Sequence, residues 1–566
     1  MCGILCIFQR PNGNTPNEQS ACNGECGECG LRELAFQQSR KQRHRGPDQT
    51  GLVVDERAGF ALVQERLSIV GVKTGRQPLS STDGSKHLVA NGEIYNFRQM
   101  ARLVGAATGS GCYEPRSDCD VLVAFYEQFG AERLLQVVRG MFCFVLYDCK
   151  LRHLLVARDP VGILPLYVGW DSAGGLWFAS ELKCLVKCCA EVTVFPPGHS
   201  YYGPWYDFQP KPYFSASWMT EIPSAEVDLV QLKQRLKAAV ESHLQSDVPL
   251  GALLSGGLDS SLIAAIATRI LRRRLQNPTY RLRTFSIGLD GGGPDLAYAH
   301  LVAAHIGSEH TEIHFTIPEG LDLLRDAVYH AETYDVTTIR CIVPLMIMAR
   351  AIRSAGIKVV LSGEGADELF GGYLYFHRAP SSAEFHRETV RRVRELHLSD
   401  CLRANKGCAA WGLELRVPFL DTDFLQYVMA IRPEDRAPGS TSACTTSLEK
   451  RILREAFADG NYLPPEVLWR QKEQFSDGVG YGWIDSVARW ASERVDEREF
   501  SAASERFPFN TPSTREAFYY RTVFEQLFPG ESFARTVHRW KPRTDWGCSE
   551  DPSGRKQDVH RDREVS

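Results

Sequence analysis

The chain has 566 residues, of which 43% are hydrophobic and 24% charged; this is ordinary for a globular protein and excludes a disordered or collagen-like chain. At about 150 residues per domain, the length predicts two or three domains. The 65 Lys and Arg residues against 69 Asp and Glu residues give a net charge of -4, so no overall basic field is available to hold nucleic acid or an anionic membrane.

The 17 cysteines are an odd number spread along the chain, which favours reduced thiols in a cytoplasmic enzyme. The first residues, MCGILCIFQRPNG, lack a basic start, and Arg10 and Pro11 come too early for a secretory apolar region. No stretch of 18 consecutive apolar residues occurs anywhere in the sequence. We therefore expect a cytoplasmic protein that is neither exported nor membrane-spanning.

The first 200 residues read as short strands bounded by Gly, Pro and Asn, with few helices between them. The strand candidates are CGILCIF, LVVD, FALV, HLVANGEIYN, FCFVLYD, LLVARD, LYVGW and LWFAS. A stretch rich in Pro, Tyr and Trp follows between 201 and 224, where proline disfavours both helix and ladder. The pattern predicts a β-rich first domain over residues 2–210 and a linker after it.

From about Val227 an amphipathic run leads into repeated strand–helix pairs, such as VPLGALL followed by LIAAIATRILRRRL. This alternation is typical of a parallel sheet covered by helices, and it predicts an α/β domain over residues 225–540. Residues 541–566 hold twelve charged side chains, six of each sign, and few apolar ones. We expect this tail to be disordered or loosely docked.

Cys2 would become the N-terminal residue once Met1 is removed. A free α-amino group titrates near 7.7 to 8 and a thiol near 8.5, so the amine can take the thiol proton at about neutral pH. One residue then supplies both the nucleophile and its base, which makes Cys2 a candidate catalytic residue.

Four segments that follow Cys2 in order are RHRGPD at 43–48, ERLSIV at 65–70, NGEIYN at 91–96 and Ser117-Asp118. Together they resemble the class II glutamine amidotransferases of the N-terminal-nucleophile hydrolase fold, which implies an αββα sandwich. The resemblance assigns oxyanion stabilisation to the Asn91 side chain and the Gly92 N–H. It also implies a glutamine pocket formed by Arg66, Leu67, Ser68, Ile69, Val70, Glu93 and Asp118, with Arg66 on the α-carboxylate and Asp118 on the α-ammonium.

A second motif, SGGLDSS at 255–261, lies between an apolar strand and a helix, where backbone N–H groups and the helix N-terminus can hold an anion. It resembles the pyrophosphate loop of N-type ATP pyrophosphatases. Ser286-Ile287-Gly288 and SGEGADE at 362–368 end two further strands, and such turns converge in an open α/β sheet. Asp259 and Asp367 are then candidate Mg²⁺ ligands.

A glutaminase domain followed by an ATP pyrophosphatase domain resembles the glutamine-dependent asparagine synthetase family. That resemblance implies that aspartate attacks ATP to give β-aspartyl-AMP, and that ammonia from glutamine, carried through a buried passage between the domains, then displaces AMP. The implied nucleotide contacts are Leu254, Ser255, Gly256, Gly257, Asp259, Ser260, Ile287, Ser362 and Gly363. Glu364 is the implied base for ammonia and Lys472 the cation for adenylate formation, while Thr337, Thr338 and Arg340 would position pyrophosphate or aspartate.

The expected partners are small molecules, namely glutamine or ammonia, aspartate and ATP with Mg²⁺, and neither nucleic acid nor a membrane; the sequence leaves a homodimer open. Three alternatives stay open beside this interpretation. Cys22, Cys26 and Cys29 have the spacing of the iron–sulfur loop of radical S-adenosylmethionine enzymes, although a plain loop or a zinc-holding or redox-sensitive insertion fits the surrounding strands better. A regulator without activity, or a synthetase with another acceptor as in relatives that close β-lactam rings, would share the architecture.

Overall fold

The computed structural model describes residues 1–10, 30–109, 111, 113–439 and 447–549. The cluster formed by Cys22, Cys26 and Cys29 lies outside the described residues. No helix among the described residues is both long and apolar enough to cross a bilayer.

The N-terminal domain consists of two antiparallel sheets with helices on their outer faces. Its strands are β1 (Gly3–Phe8), β2 (Gln49–Asp55), β3 (Phe60–Arg66), β4 (Leu79–Ser80), β5 (Lys86–Ile94), β6 (Gly140–Asp148), β7 (His153–Arg158), β8 (Tyr167–Trp170), β9 (Leu176–Ala179), β10 (Glu191–Val194), β11 (His199–Pro204) and β12 (Lys211–Pro212). Its helices are α1 (Leu31–Arg40), α2 (Phe97–Thr108) and α3 (Asp120–Val137). The strand order is β10-β8-β9-β1-β3-β2 in one sheet and β12-β11-β7-β6-β5-β4 in the other.

The apolar pattern of β6 explains why this domain is layered. Met141, Cys143 and Val145 belong to the core between the two sheets, whereas Phe142 and Phe144 belong to the core under α2 and α3. Side chains alternate between the two faces of a strand, so an unbroken apolar run buries both faces. The structure confirms the predicted αββα sandwich.

The C-terminal domain is built on a five-stranded, fully parallel sheet. Its strands are β13 (Leu250–Leu253), β14 (Arg283–Leu289), β15 (Glu309–Phe315), β16 (Val359–Leu361) and β17 (Glu414–Arg416), in the order β15-β14-β13-β16-β17. From β13 the chain adds β14 and then β15 toward one edge of the sheet. It then returns to the other side of β13, where it adds β16 and β17. In open α/β sheets a ligand crevice forms where the order reverses, which here is between β13 and β16.

Helices cover both faces of this sheet and continue beyond it. They are α4 (Leu229–His243), α5 (Leu258–Arg274), α6 (Pro294–Ile306), α7 (Ile317–Asp322), α8 (Leu324–Ala331), α9 (Val336–Ser354), α10 (Ala366–Phe370), α11 (Ser382–Glu395), α12 (Asp400–Ala409), α13 (Thr422–Met429), α14 (Pro433–Arg436), α15 (Arg451–Ala456), α16 (Pro465–Leu468), α17 (Phe475–Gly478), α18 (Gly482–Arg494), α19 (Glu497–Ser501), α20 (Ala503–Arg506), α21 (Arg515–Leu527) and α22 (Glu531–Arg535). The predicted parallel α/β domain is thus confirmed.

Residues 541–549 are the described part of the tail for which we expected disorder or loose docking, and they pack against the C-terminal domain. A 3-10 turn forms at Thr544–Trp546, and the Trp546 ring lies 6.2 Å from that of Tyr375. Cys548 is buried in the same aromatic cluster. The apolar content of this short segment outweighs its charges, because two side chains find a preformed apolar site. Residues 550–566 lie outside the described part of the chain.

A cluster of buried charges joins the two domains. Arg45, Glu181 and Lys183 come from the N-terminal domain, and Glu332 and Lys406 from the C-terminal domain. Arg45 pairs with Glu181 at 2.6 Å, Lys183 with Glu332 at 2.9 Å, and Lys406 with Glu181 at 3.3 Å and also with Glu332. The carboxylates alternate with the cations, so each buried charge has a partner of opposite sign.

Candidate active sites

Cys2 lies directly before β1 and is buried. Its backbone N–H donates to Asn91 Oδ1 at 2.8 Å, and its thiol lies 3.9 Å from the carbonyl oxygen of Leu67. Burial raises the pKa of the Cys2 thiol, while the positive chain terminus and Arg66 oppose that shift. The Cys2 backbone is therefore held in place, and its thiol needs a base to form a thiolate.

Met1 precedes Cys2, and its ammonium group donates to Glu414 Oε2 in β17 at 2.7 Å, with both groups buried. While Met1 is attached, the nitrogen of Cys2 is an amide and cannot accept a proton. The arrangement of one residue as nucleophile and base thus exists only in a chain that has lost Met1.

Asn91 and Gly92, near the end of β5, present two hydrogen-bond donors beside Cys2. The Asn91 amide oxygen accepts the Cys2 N–H, whereas its buried amide nitrogen has no oxygen acceptor among the described residues and faces only the weakly accepting sulfur of Cys143. Gly92 has a φ of 140°, and a Cβ atom there would lie 2.1 Å from the carbonyl oxygen of Met141. A buried donor without an acceptor lowers stability, so the Asn91 amide nitrogen is suited to donate a hydrogen bond to an oxygen of a ligand.

Arg66, Asp118 and Glu93 lie close to Cys2. The guanidinium of Arg66 donates to backbone oxygens of the following turn, including that of Gly71 at 2.8 Å. Asp118 accepts from the Ile94 N–H at 2.8 Å, and burial raises its pKa to about 6. Arg66 is thus ordered before any ligand binds, and Asp118 carries a carboxylate above about pH 6.

Residues 67–70, the predicted pocket wall, lie between the two domains. Ser68 N–H donates to Asp48 Oδ2 at 2.8 Å, and Ile69 accepts from the Asp247 N–H of the C-terminal domain at 3.1 Å. Leu67 and Ile69 pack against Val359 in β16, with Val70 at the edge of the cluster. Residues 67–70 therefore rest on the second domain, and Glu93 reaches Arg416 of that domain at 3.2 Å.

The second site is a cavity at the carboxyl ends of β13 and β16, where the strand order reverses. Its lining contains most of the nucleotide residues expected from the motifs: Leu254, Ser255, Gly257, Asp259, Ser260, Ile287, Ser362, Gly363, Glu364, Asp367 and Lys472. Gly256 does not line it but has a φ of 76°, and a Cβ atom there would lie 2.5 Å from the Ala299 nitrogen of α6. A Cβ atom at Gly363 would lie 2.7 Å from the Ser260 nitrogen, so glycine lets the two motif loops touch.

The carboxylates of Asp259 and Asp367 converge on two lysines. Lys450 Nζ lies 2.5 Å from Asp259 Oδ2 and 2.6 Å from Asp367 Oδ1, and Lys472 Nζ lies 2.8 Å from Asp367 Oδ2. Burial raises the pKa of Asp367, but the two ammonium groups outweigh that effect and hold it well below its usual range. Both carboxylates are therefore arranged around a positive charge.

Glu364 faces Arg403 across the same cavity. Arg403 Nη2 lies 3.0 Å and 3.1 Å from the two carboxylate oxygens of Glu364, and Arg403 also pairs with Asp400 at 2.8 Å. Burial raises the pKa of Glu364, and Arg403 opposes the shift. A carboxylate whose pKa is raised is better able to hold a proton at neutral pH.

Thr337, Thr338 and Arg340 lie in the first turns of α9 and are not among the residues that line the cavity. The Thr338 N–H and hydroxyl both donate to Asp335 Oδ2, which caps the helix. Arg340 makes a bidentate pair with Glu516 at 2.9 Å and 2.7 Å. Their direct role in positioning a ligand stays a prediction, because the structure shows Thr338 and Arg340 bonded to protein groups.

Lys450, Arg403 and Asp400 were not identified as site residues from the sequence. Arg403 stands in the segment LRANK and Arg416 in the segment RVPFLD, and neither segment on its own indicates a chemical role. Lys450 follows no motif. Lys450 stands in the run SLEKRIL, where apolar residues flank the charged ones on both sides. A lysine in such a run is ordinarily interpreted as solvent-exposed.

The chain resembles known proteins along its whole length. A family model described as glutamine amidotransferase domain matches residues 1–234, and one described as asparagine synthase matches residues 231–384 and 380–546. Asparagine synthetase B (glutamine-hydrolysing) of Escherichia coli is 45% identical over 94% of this chain and 96% of its own length. Asparagine synthetase 1 (glutamine-hydrolysing) of Saccharomyces cerevisiae is 46% identical over 99% of each chain, and that of Zea mays is 43% identical over 93% of this chain and 90% of its own.

Proposed function

The chain belongs to the glutamine-hydrolysing asparagine synthetase family, ATP-dependent ligases that make asparagine with nitrogen from glutamine, and we propose how its two sites divide that reaction. The first site releases ammonia from glutamine, and the second activates aspartate with ATP. This division is supported by two features of one chain. Cys2 lies beside the Asn91 amide nitrogen, which has no oxygen acceptor among the described residues, and a separate cavity is lined by residues of SGGLDSS and SGEGADE.

In the first site the Cys2 sulfur attacks the side-chain amide of glutamine. After Met1 is removed, the Cys2 α-amine takes the thiol proton and returns it to the leaving ammonia, and the acyl-enzyme is then hydrolysed to glutamate. The Asn91 amide nitrogen and the Gly92 N–H donate to the oxyanion. Support comes from the bond between the Cys2 nitrogen and Asn91 Oδ1, since the same contact would orient the free amine.

Arg66 and Asp118 would hold the glutamine backbone in this site, with the Asp118 carboxylate on the α-ammonium. Residues 67–70 would close the pocket through their backbone, and Glu93 would stand at its far side. The hydrogen bond from Arg66 to the Gly71 carbonyl oxygen supports this assignment, because it fixes the guanidinium before the substrate binds.

In the second site the aspartate side-chain carboxylate attacks the α-phosphate of ATP, and pyrophosphate leaves. Ammonia then attacks the activated carbonyl carbon, AMP leaves, and Glu364 takes the proton that the nitrogen loses. Ser255, Gly257, Ser260, Ser362 and Gly363 would hold the nucleotide, and Lys472 would balance negative charge on the phosphates. The raised pKa of Glu364 supports its role as base.

ATP used by this family implies associated Mg²⁺, and the residues fit such an ion. Asp259 and Asp367 converge on one cationic group, and Asp259 Oδ1 is buried without a hydrogen-bond partner. These two carboxylates would hold the ion, which supplies positive charge against the phosphate oxygens. No group of three or more candidate metal ligands occurs within the described residues, so phosphate and water would complete the shell.

Ammonia must reach the second site without becoming ammonium in bulk water, so we propose a buried passage between the domains. The contacts of residues 67–70 with Asp247 and Val359 support it, because they seal one side of the glutaminase pocket. A separate synthetase domain that still used glutamine would contradict the passage.

We further propose domains at 2–210 and 225–540, a cytoplasmic location and, as the assembly to test first, a homodimer. The free thiols among the described cysteines support a reducing compartment.

The test compares glutamine with ammonium as nitrogen source for the pure enzyme with aspartate, ATP and Mg²⁺. Equal amounts of asparagine and AMP are expected from both sources. AMP without asparagine would show that the acceptor is not aspartate, and absence of both products would show that the chain is a regulator without activity.

A further inference from the structure

The side chain of Lys450 occupies the point between the two proposed metal ligands. Its ammonium nitrogen lies 2.5 Å from Asp259 and 2.6 Å from Asp367, and the side chain is 1% exposed. No nucleotide or metal is needed for this arrangement, since one ammonium group bridges both carboxylates. A cation already stands where the ligands of a divalent ion converge.

The backbone around Lys450 is adapted to this position. Lys450 has a φ of 58° and a ψ of 31°, a left-handed conformation that non-glycine residues seldom adopt and that usually persists where surrounding contacts impose it. A Cβ atom at Gly372 would lie 2.1 Å from Asp367 Oδ1 and 2.2 Å from Lys450 Cε. Glycine at position 372 is thus what allows the lysine to lie against Asp367.

The preceding residue fixes the second lysine of the site. Glu449 is fully buried, and its Oε1 accepts the Lys472 backbone N–H at 2.8 Å as well as a bond from Arg454 at 2.5 Å. Residues 449 and 450 therefore set both ammonium groups against Asp367. Because neighbouring residues hold both lysines of the site, the contacts of Lys450 with the two carboxylates are not a chance arrangement at the surface.

The charges of the site add a second constraint. Asp259 and Asp367 carry two negative charges, and Lys450 and Lys472 carry two positive ones, so these four side chains balance one another. A divalent ion that entered while Lys450 stayed in place would add two positive charges to this balanced group and would bring cations close together in a buried position, which is unfavourable. The phosphates of a nucleotide supply the negative charge that removes this obstacle.

We propose that Lys450 is a positioning residue that stands in for the divalent cation in the nucleotide-free enzyme and gives up the two carboxylates only when a nucleotide polyphosphate enters. Lys450 then pairs with phosphate oxygens, and Asp259 and Asp367 become free to bind the metal. The metal consequently enters with the nucleotide and not before it. This inference rests on the proposed assignment of Asp259 and Asp367 as metal ligands.

The test measures binding of Mn²⁺ alone by electron paramagnetic resonance, in the full-length protein without nucleotide. Lys450→Met removes the charge and keeps the length of the side chain. We expect it to bind Mn²⁺ about tenfold more tightly than the wild type or better, because the competing cation is gone. Adding Asp259→Asn to Lys450→Met should remove the gain.

Lys233→Met is the matched control, because Lys233 pairs with Asp459 in the same domain, away from the cavity. It makes the same change in charge and should bind Mn²⁺ as the wild type does. Equal affinity in the wild type and Lys450→Met, or weaker binding in the variant, would overturn the proposal.

Circular dichroism tests whether each variant is folded. If Lys450→Met does not fold, Lys450→Gln is used in its place. If neither folds, the wild type decides: Mn²⁺ affinity that is the same with and without a non-hydrolysable ATP analogue overturns the proposal, and a gain with the analogue supports it. Asparagine synthesis from ammonium by the wild type tests the proposed function separately, since Mn²⁺ binding involves no turnover.

Discussion

Single residues in the glutaminase site serve two purposes at once. The amide oxygen of Asn91 accepts a hydrogen bond from the backbone nitrogen of Cys2, while its amide nitrogen has no oxygen acceptor within the described residues. Asp118 likewise accepts the Ile94 N–H with one oxygen, and in the proposed role its negative charge would bind the substrate ammonium. Changes at these positions should therefore alter glutamine use and spare the synthetase site.

Replacing Cys2 with alanine should abolish asparagine formation from glutamine and leave formation from ammonium unchanged. The variant lacks the attacking sulfur, whereas the synthetase cavity contains no part of Cys2. Both reactions can be followed by the asparagine produced. Cys149→Ala, at a half-buried cysteine elsewhere in the same domain, should retain both activities. Loss of both activities in Cys2→Ala would mean that Cys2 is structural.

The use of glutamine should depend on pH through Asp118. Its pKa is raised to about 6, so the carboxylate is charged above that pH and becomes neutral below it. Binding of the glutamine α-ammonium needs the charged form, and the KM for glutamine should rise about tenfold for each pH unit below 6. Glutamate release without ATP, measured from pH 5 to 8, gives this KM. Asp118→Asn should have a high KM throughout, and a flat profile in the wild type would refute the assignment.

At the scale of elements, function depends on loops that approach one another closely. The turn after β13 and the turn after β16 touch because Gly363 has no side chain. Helix α9 contributes Cys341, Leu345 and Met348 to the same cavity, although its first turns point elsewhere. The site is thus a product of the strand order, which brings two distant motifs to adjacent strand ends.

Gly363→Ala should lower asparagine synthesis from ammonium about 10²-fold in kcat/KM. The added methyl group would lie 2.7 Å from the Ser260 nitrogen and would force the two loops apart, and displacement of about 1 Å costs catalysis this much. Glutamate release should be unaffected. Gly482→Ala is the control, because its Cβ would meet only Leu289 at 4.0 Å. A normal synthetase rate in Gly363→Ala would show that the loops tolerate separation.

Much of this level of structure could be predicted from the sequence. The short apolar runs bounded by Gly, Pro and Asn predicted the strands of the N-terminal half, as β6 illustrates, and the motif SGGLDSS predicted the turn after β13, because apolar patterning and glycine placement act over a few residues. Lys450 could not be predicted, since its partner Asp259 is 191 residues away and only the fold brings them together. The pairing of Arg340 with Glu516 escaped prediction for the same reason. The order of residues 541–549 depends on aromatic residues far along the chain.

At the scale of the whole molecule, the two domains are joined by charges that the composition does not reveal. A net charge of -4 describes the chain as a whole, whereas Glu332 lies fully buried between Lys183 and Lys406. It also accepts the backbone N–H groups of Leu182 and Lys183 from the other domain. The Glu332 side chain therefore fixes a turn of the N-terminal domain and balances the charges of two lysines.

Glu332→Ala should reduce the free energy of unfolding by about 3–5 kcal/mol, because it leaves two buried lysines short of a partner. Urea denaturation followed by tryptophan fluorescence measures the change. Asp459→Ala removes the acidic partner of Lys233 at an exposed position and should leave the denaturation midpoint unchanged. Similar midpoints for both variants would show that the interdomain cluster adds no stability.

The same cluster affects how the molecule responds to heat. The hydration of charged groups becomes less favourable as temperature rises, so the penalty for keeping Arg45, Lys183 and Lys406 out of water shrinks, while stabilisation by apolar burial levels off. The junction between the domains should therefore weaken less on warming than the apolar core of either domain. Thermal inactivation would then begin within a domain, and the enzyme would keep its two halves together up to the temperature at which one of them melts.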